Sequence, residues 1–151
     1  MSVIRVKSVC VFRHHDKVLL SEGYDPGKRE RYLIPIGGGV NFGETAKDAA
    51  RRETLEEIGA EADSFELLGI FENLFVFDGK QGHEIVYVYD ARFVNSVVYE
   101  ATELQGTESN GSRFIASWFS REQLASSQLP VYPDGIERLL FAIGVTCTPK
   151  F

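Results

Sequence analysis

The chain has 151 residues, 44% of them hydrophobic and 25% charged, which suits one soluble globular domain, 1–151, with ample length for a core. Its net charge of −6 argues against a general nucleic-acid binder, although a local basic pocket for phosphates stays open. Two cysteines, Cys10 and Cys147, make no disulfide framework, and no apolar stretch is long enough to span a membrane. The opening MSVIRVKS lacks a signal-peptide pattern, so the expected location is cytoplasmic.

Val3 to Phe12 alternates and is rich in valine, which predicts a strand with Cys10 in the core. His14-His15-Asp16-Lys17 reads as a surface turn, because adjacent histidines point different ways and make a poor metal pair. Val18 to Leu20 is the returning strand. Glu22 to Arg31 holds glycine, proline and several cations. It is expected to be a loop, read first as a solvated surface and alternatively as a mobile phosphate clamp through Arg29 and Arg31. Tyr32 to Pro35 forms a short strand that leads into Gly37, Gly38 and Gly39.

Next comes a helix, expected over Thr45 to Ile58. Thr45 with Asp48 three residues on is a capping-box-like start. Alanines at 46, 49 and 50 favour the helix, and Gly59 suits its left-handed stop. At about 100° per residue, Glu53, Glu56 and Glu57 share about a 100° arc with those alanines. Alanines mark close approach to other backbone, so the arc is expected to face protein. Carboxylates there must be neutralised, protonated or bound to a cation, and gathered carboxylate oxygens suit Mg²⁺ or Mn²⁺. A solvated acidic face with an Arg52–Glu56 pair is the plain alternative.

Phe65 to Phe77 reads as one or two strands. Asp78 to Gly82 is a turn, and His83 to Phe93 its hairpin partner, with Glu84, Tyr87 and Tyr89 expected on an exposed face and one side of the hairpin able to line a pocket. Asn95 to Arg113 is polar and acidic, and is expected to be a partly disordered segment or a mobile lid. Phe114 to Phe119 forms a strand, Ser120 and Glu122 start a brief helical turn, and Ile136 to Ile143 packs one helix face on the sheet. Strands, helix, strands, helix imply an α/β fold with a mixed sheet between helices.

The spacing around the glutamates is itself distinctive. Gly38 is followed after five residues by Glu44, after seven more by Arg52-Glu53, then by Glu56-Glu57 and Gly59. This stretch, Gly38 to Ala60, about a sixth of the chain, resembles the Nudix box. Thr54 and Ala60 fill two slots that are usually aliphatic, and Pro35 stands one residue earlier than the family's Pro-Gly-Gly entry, which leaves the path of the entering strand open. The resemblance implies the α/β/α sandwich of Nudix domains. It also implies a hydrolase that cuts the diphosphate bridge of a nucleoside diphosphate derivative.

Carried over by position, Glu53, Glu56 and Glu57 would bind Mg²⁺ or Mn²⁺, with the Gly37 carbonyl as a further ligand. Arg52 would hold a glutamate in place, and Glu44 would brace the loop. Gly38 and Gly39 would let backbone approach the phosphates. Apart from the resemblance, Tyr32, Phe42 and Phe75 read first as packing residues, with stacking on a base as the alternative. Glu53 or Glu56 is the favoured general base, with Glu103 or Glu100 as outside candidates. The expected partner is a small nucleotide, a nucleoside triphosphate or an ADP-linked metabolite. No membrane or nucleic acid is expected, and a homodimer is possible. The rival readings are a Nudix-fold regulator that binds without cutting, and an interaction module with an acidic helix. The first usually loses box glutamates, which are all retained; the second leaves the glycines and Glu44 without a reason.

Overall fold

The computed structural model describes residues 2–141. Among these residues are eight strands and three α-helices: β1 Arg5–His14, β2 Lys17–Asp25, β3 Glu30–Ile34, β4 Ile36–Gly39, α1 Ala46–Ile58, β5 Ala62–Phe77, β6 Lys80–Phe93, β7 Glu103–Thr107, β8 Arg113–Ser120, α2 Arg121–Ser127 and α3 Glu137–Leu140. The strands join in the order β5-β6-β1-β2-β8-β7, with β3 on β2 and β4 on β1. β1 and β6 run parallel from Arg5↔Glu84 to Phe12↔Ala91, and the other pairs are antiparallel. The sheet is therefore mixed.

β1 and β2 pair only at Arg13↔Val18 and His14↔Lys17. Beyond that point they diverge. β4 takes the free edge of β1 over Lys7 to Cys10, and β3 takes the free edge of β2 over Ser21 to Asp25. The sheet thus forks into two leaves, and this fork opens a cleft.

Side chains alternate along a strand, so β1 feeds a core on each face. Cys10 and Phe12 pack under α1 with Ile36, Ala50 and Phe93. Val9 and Val11 pack on the other face with Val86, Val88, Ile136 and Leu140. Small residues let α1 lie close to β1: Ala49, Ala50 and Thr54 are fully buried. Three side chains turn to the helix carbonyls there. Ser8 Oγ donates to the Ala46 carbonyl at 2.7 Å, Cys10 Sγ to that of Ala50 at 3.9 Å, and Thr54 Oγ1 to Ala50 at 2.8 Å. Burial pushes the Cys10 thiol up to about 12, so it stays protonated and unreactive in its core position.

The helix ends are set as the residues suggested. Thr45 Oγ1 accepts from the Asp48 amide at 3.1 Å, and Gly59 takes the left-handed conformation at φ 75°. Other expectations need correction. Glu22 to Arg31 is not one loop: β2 continues to Asp25 and β3 begins at Glu30, because the Gly-Pro signals mark only the tip of a hairpin. Nor is Asn95 to Arg113 a disordered lid. It contains a 3₁₀ turn, Ser96–Glu100, capped by Asn95, and then β7, which pairs with β8 from Glu103↔Ser117 to Thr107↔Arg113. The expected exposed face of β6 also fails, since Glu84 and Tyr89 are buried. The last helix runs Glu137–Leu140 and ends at its cap Phe141, short of the expected Ile143, and residues 142–143 lie outside the described residues.

Phe12 stacks on Phe93 with ring centroids 3.9 Å apart and planes 9° from parallel. Phe12→Ala should cost about 3–5 kcal/mol of stability, read as a lower urea midpoint with an unchanged slope.

Candidate active site

The glycine run is itself a strand. β4 lies against β1 in the register Ser8↔Gly38 and Val9↔Gly37. A side chain at Gly37 would run into the Ser8 carbonyl oxygen at 2.1 Å. One at Gly38 would meet the Glu53 carboxylate, with its carbon and one oxygen both at 2.6 Å. Gly38 is therefore the seat on which Glu53 rests, and the entering strand follows this path despite the displaced proline.

Arg52 gathers the site around its guanidinium. Its Nε and Nη2 donate to the two oxygens of Glu44, at 2.7 and 2.8 Å. Nη1 donates to Glu53 at 2.9 Å and to Glu56 at 3.1 Å, and Nη2 also reaches the Gly39 carbonyl at 2.9 Å. The fork geometry of arginine suits this bidentate grip. Glu44 also accepts from the Asn41 amide at 3.1 Å. The bond from Arg52, with that amide, draws the Glu44 carboxyl down to about 2, so it stays ionised.

Glu57 lies beyond this network. Burial, aided by the nearby charges of Glu53 and Glu108, pushes its carboxyl up to about 8, against the pull of a hydrogen bond from the Gly37 amide. Two of the three fates open to crowded carboxylates thus occur together: neutralisation by Arg52 and retention of a proton by Glu57. The crowding is uneven. The Glu53 side chain is 12% exposed and that of Glu56 57% exposed, so Glu56 sits at the rim. Among the described residues, no three acidic, histidine or cysteine side chains are drawn together as a ready cage for an ion.

The forked leaves enclose a cleft of about 270 Å³, lined by none of these carboxylates but linked to the glycine strand through Lys7, which pairs with Gly39. Tyr32, Phe75, Phe77 and Tyr132 wall it, and Lys7, Asn73 and Glu84 lie among its lining residues. Tyr32 meets Tyr132 and Phe77 edge-on, at 5.5 and 6.4 Å between centroids. Tyr132 is brought there by its own amide, which donates to the Leu33 carbonyl at 3.0 Å. At the mouth, Asp25 Oδ1 accepts from the amides of Gly27 at 2.9 Å, Lys28 at 3.4 Å and Asp78 at 2.9 Å. One carboxylate thereby joins the β2–β3 tip to the β5–β6 tip. Burial opposes its charge, yet these three donors hold it below the usual carboxylate range.

Of the residues expected to touch substrate, Tyr32 and Phe75 line the cleft. Arg29 and Arg31 do not. Strand alternation turns Glu30, Tyr32 and Ile34 inward, and Arg31 pairs instead with Glu22 on the outside. Arg29 occupies the hairpin tip at φ 53° and is exposed. Phe42 is wholly exposed and lines no part of the cleft. Glu103 is held in β7 and Glu100 in the 3₁₀ turn. The acidic residue whose charge reaches both Glu57 and Tyr32 is Glu108, at the β7–β8 turn. Sequence reasoning also missed Lys7, Asn73 and Tyr132. For Lys7, the one available signal was a cation at every second position, Arg5 and Lys7, on the face that continues as Val9 and Val11.

A family model for the NUDIX domain matches residues 3–139. The chain belongs to the Nudix hydrolase family. It is 28% identical over 137 residues to the mouse protein named oxidized purine nucleoside triphosphate hydrolase, covering 89% of this chain and 76% of that one. Among solved structures it resembles a NUDIX hydrolase from Nitrosomonas europaea, with TM-score 0.60, 22% identity, and 83% and 78% of the two chains covered. A MutT NUDIX hydrolase from Burkholderia pseudomallei gives the same TM-score and identity over 82% and 88%. These likenesses show the fold: a mixed sheet with few helices. No described helix is long and apolar enough to cross a membrane.

Glu57 gives a pH signature for the metal-free Nudix protein. Its folded pKa lies above its unfolded one, so folding takes up a proton and the stabilisation is full below about pH 4.5. It should fade as pH rises toward about 8. Thermal melts in chelator should show the wild type losing stability across this window relative to Glu57→Gln. Parallel curves would remove the assignment.

Proposed function

We propose that this chain is a Mg²⁺-dependent pyrophosphohydrolase that cleaves the diphosphate bridge of a nucleoside diphosphate derivative, by attack of water at phosphorus. The reading rests above all on Arg52, which holds Glu44, Glu53 and Glu56 at the glycine strand beside an aromatic-walled cleft. The likeness to a purine nucleoside triphosphate hydrolase favours a triphosphate among the possible substrates.

The donor set fits a hard divalent ion. Glu53 and Glu57 are half-buried carboxylates, the charge of Glu53 opposes ionisation of Glu57, and their oxygens are the ligands such ions prefer. Glu53, Glu56 and Glu57 are the residues that would hold Mg²⁺ or Mn²⁺, with the Gly37 carbonyl as a further donor. When bound, the ion supplies charge neutralisation at the phosphate oxygens and acidifies water.

The chain's own residues supply the rest. Arg52 fixes the carboxylates against their mutual repulsion, and Glu44, held ionised, anchors Arg52. Gly38 admits Glu53 to the strand, and Gly39 leaves open space above the backbone for phosphate. Glu53 or Glu56 accepts the proton from water, and Glu108 joins Glu103 and Glu100 as a base candidate from outside the helix. The aromatic walls seat the nucleoside end.

The direct test is a panel of nucleoside triphosphates and diphosphate-linked metabolites with Mg²⁺, followed by release of monophosphate or pyrophosphate. Turnover should depend on the ion and stop in chelator. Tight binding without turnover would favour a nucleotide sensor instead. Glu53→Gln should lower kcat by about 10²–10⁴-fold if Glu53 is the base, and near-normal turnover would remove it from that role. Arg52→Lys keeps the charge but loses the fork, and should cost about 10–100-fold in activity.

Mg²⁺ should also raise the melting temperature by binding the folded state, and this rise should vanish in Glu56→Gln/Glu57→Gln. An unchanged melt in the wild type would count against these glutamates as the ion's ligands.

A further inference from the structure

The face of the sheet that is pure valine beneath α3 changes character where it enters the cleft. Going up β1, Val11 and Val9 give way to Lys7 and Arg5 on the same side. On β6, Val88 and Val86 give way to Glu84, whose register partners are Arg5 on one side and Asn73 on the other. A polar row therefore crosses three strands at the cleft floor. Glu84 is 8% exposed and Asn73 9% exposed, and Lys7 Nζ lies 3.3 Å from Glu84 Oε2.

An ion pair that holds Glu84 out of water, with the Lys7 side chain 28% exposed, is little help to the fold. Desolvating two charges costs more than their attraction commonly returns, and the same sheet face packs well as valine two residues away. The pair does, however, present a defined hydrogen-bonding edge. Lys7 offers N–H donors and no acceptor, whereas the Glu84 carboxylate offers acceptors only. The aromatic rings above would hold a flat ring against that edge.

We propose that Lys7 and Glu84 read the base of the substrate and select a guanine-type edge, in which a carbonyl lies next to two N–H donor groups. The carbonyl oxygen accepts from Lys7, and the ring N–H and the exocyclic amine donate to Glu84. Adenine presents the reverse pattern: its ring nitrogen would face the carboxylate with no proton between them. Hypoxanthine keeps the carbonyl and the ring N–H but lacks the amine. The proposal rests on the reading of the cleft as the nucleoside site and narrows its substrate class to guanine nucleotides.

The test uses binding of monophosphates, so it does not require turnover. Dissociation constants for GMP, IMP and AMP are measured by titration calorimetry on the full chain. GMP should bind about ten-fold or more tightly than AMP, with IMP between, as expected for one bidentate pair. Glu84→Gln, whose amide can donate to adenine, should bring the GMP-to-AMP ratio close to one. Lys7→Met should lower it. The ratio is taken within one preparation, so partial unfolding of a variant leaves it unchanged. Equal affinities in the wild type, no detectable binding of either nucleotide, or a ratio unmoved by Glu84→Gln would overturn the proposal. Retained GMP preference without any hydrolysis would uphold it while removing the hydrolase reading.

Discussion

One guanidinium carries the organisation of this molecule. Four carboxylates come within a short distance of a glycine strand, and their mutual repulsion would splay the second half of α1 from β4 if nothing opposed it. Arg52 opposes it through three of the four, and through the Gly39 carbonyl ties the helix to the strand. Because arginine stays charged at any physiological pH, the cation at the centre of this network is always present. The fourth carboxylate, Glu57, is beyond its reach and is the one that keeps its proton.

The position of Arg52 depends in turn on the seating of α1. That seating follows from residues with little bulk: Ala49, Ala50 and Thr54 on the helix, and Ser8 and Cys10 on β1. Thr54, which occupies a slot more often aliphatic in relatives of the box, loses no packing. Its hydroxyl is satisfied by the Ala50 carbonyl within the same helix. Polar atoms at this interface work as register pins, because each has one carbonyl within reach.

Much of the helix and its approach was legible in the chain. The cap at Thr45, the stop at Gly59 and the inward alanines are local signals, and local physics decides them. The glycine spacing, Glu44 and the Arg52-Glu53 pair likewise pointed to the hydrogen-bonded network that forms around Arg52. The cleft was not legible. It depends on the fork between β1 and β2, which only long-range pairing creates. Arg31 illustrates the difficulty: its side of β3 cannot be known until the register with β2 is known. Glu84 looked like an exposed strand residue because nothing local reveals that β1 lies beside it in parallel. Tyr132, from far along the chain, reaches the cleft because the backbone on both sides of Val131 bonds to Leu33. The segment before β8 looked unstructured because its acidic composition hid a short strand with an existing partner.

Asp25 joins two hairpins that belong to different leaves of the fork. Gly27 and the Asp78–Gly79 backbone approach so closely there that a methyl group on Gly27 would lie 2.9 Å from the Asp78 Cα. The gap between the leaves is therefore not free to widen one side at a time. Lengthening either tip alone would break the clasp, so a change in the bulk of the guest this cleft can admit calls for matched alterations on both hairpins.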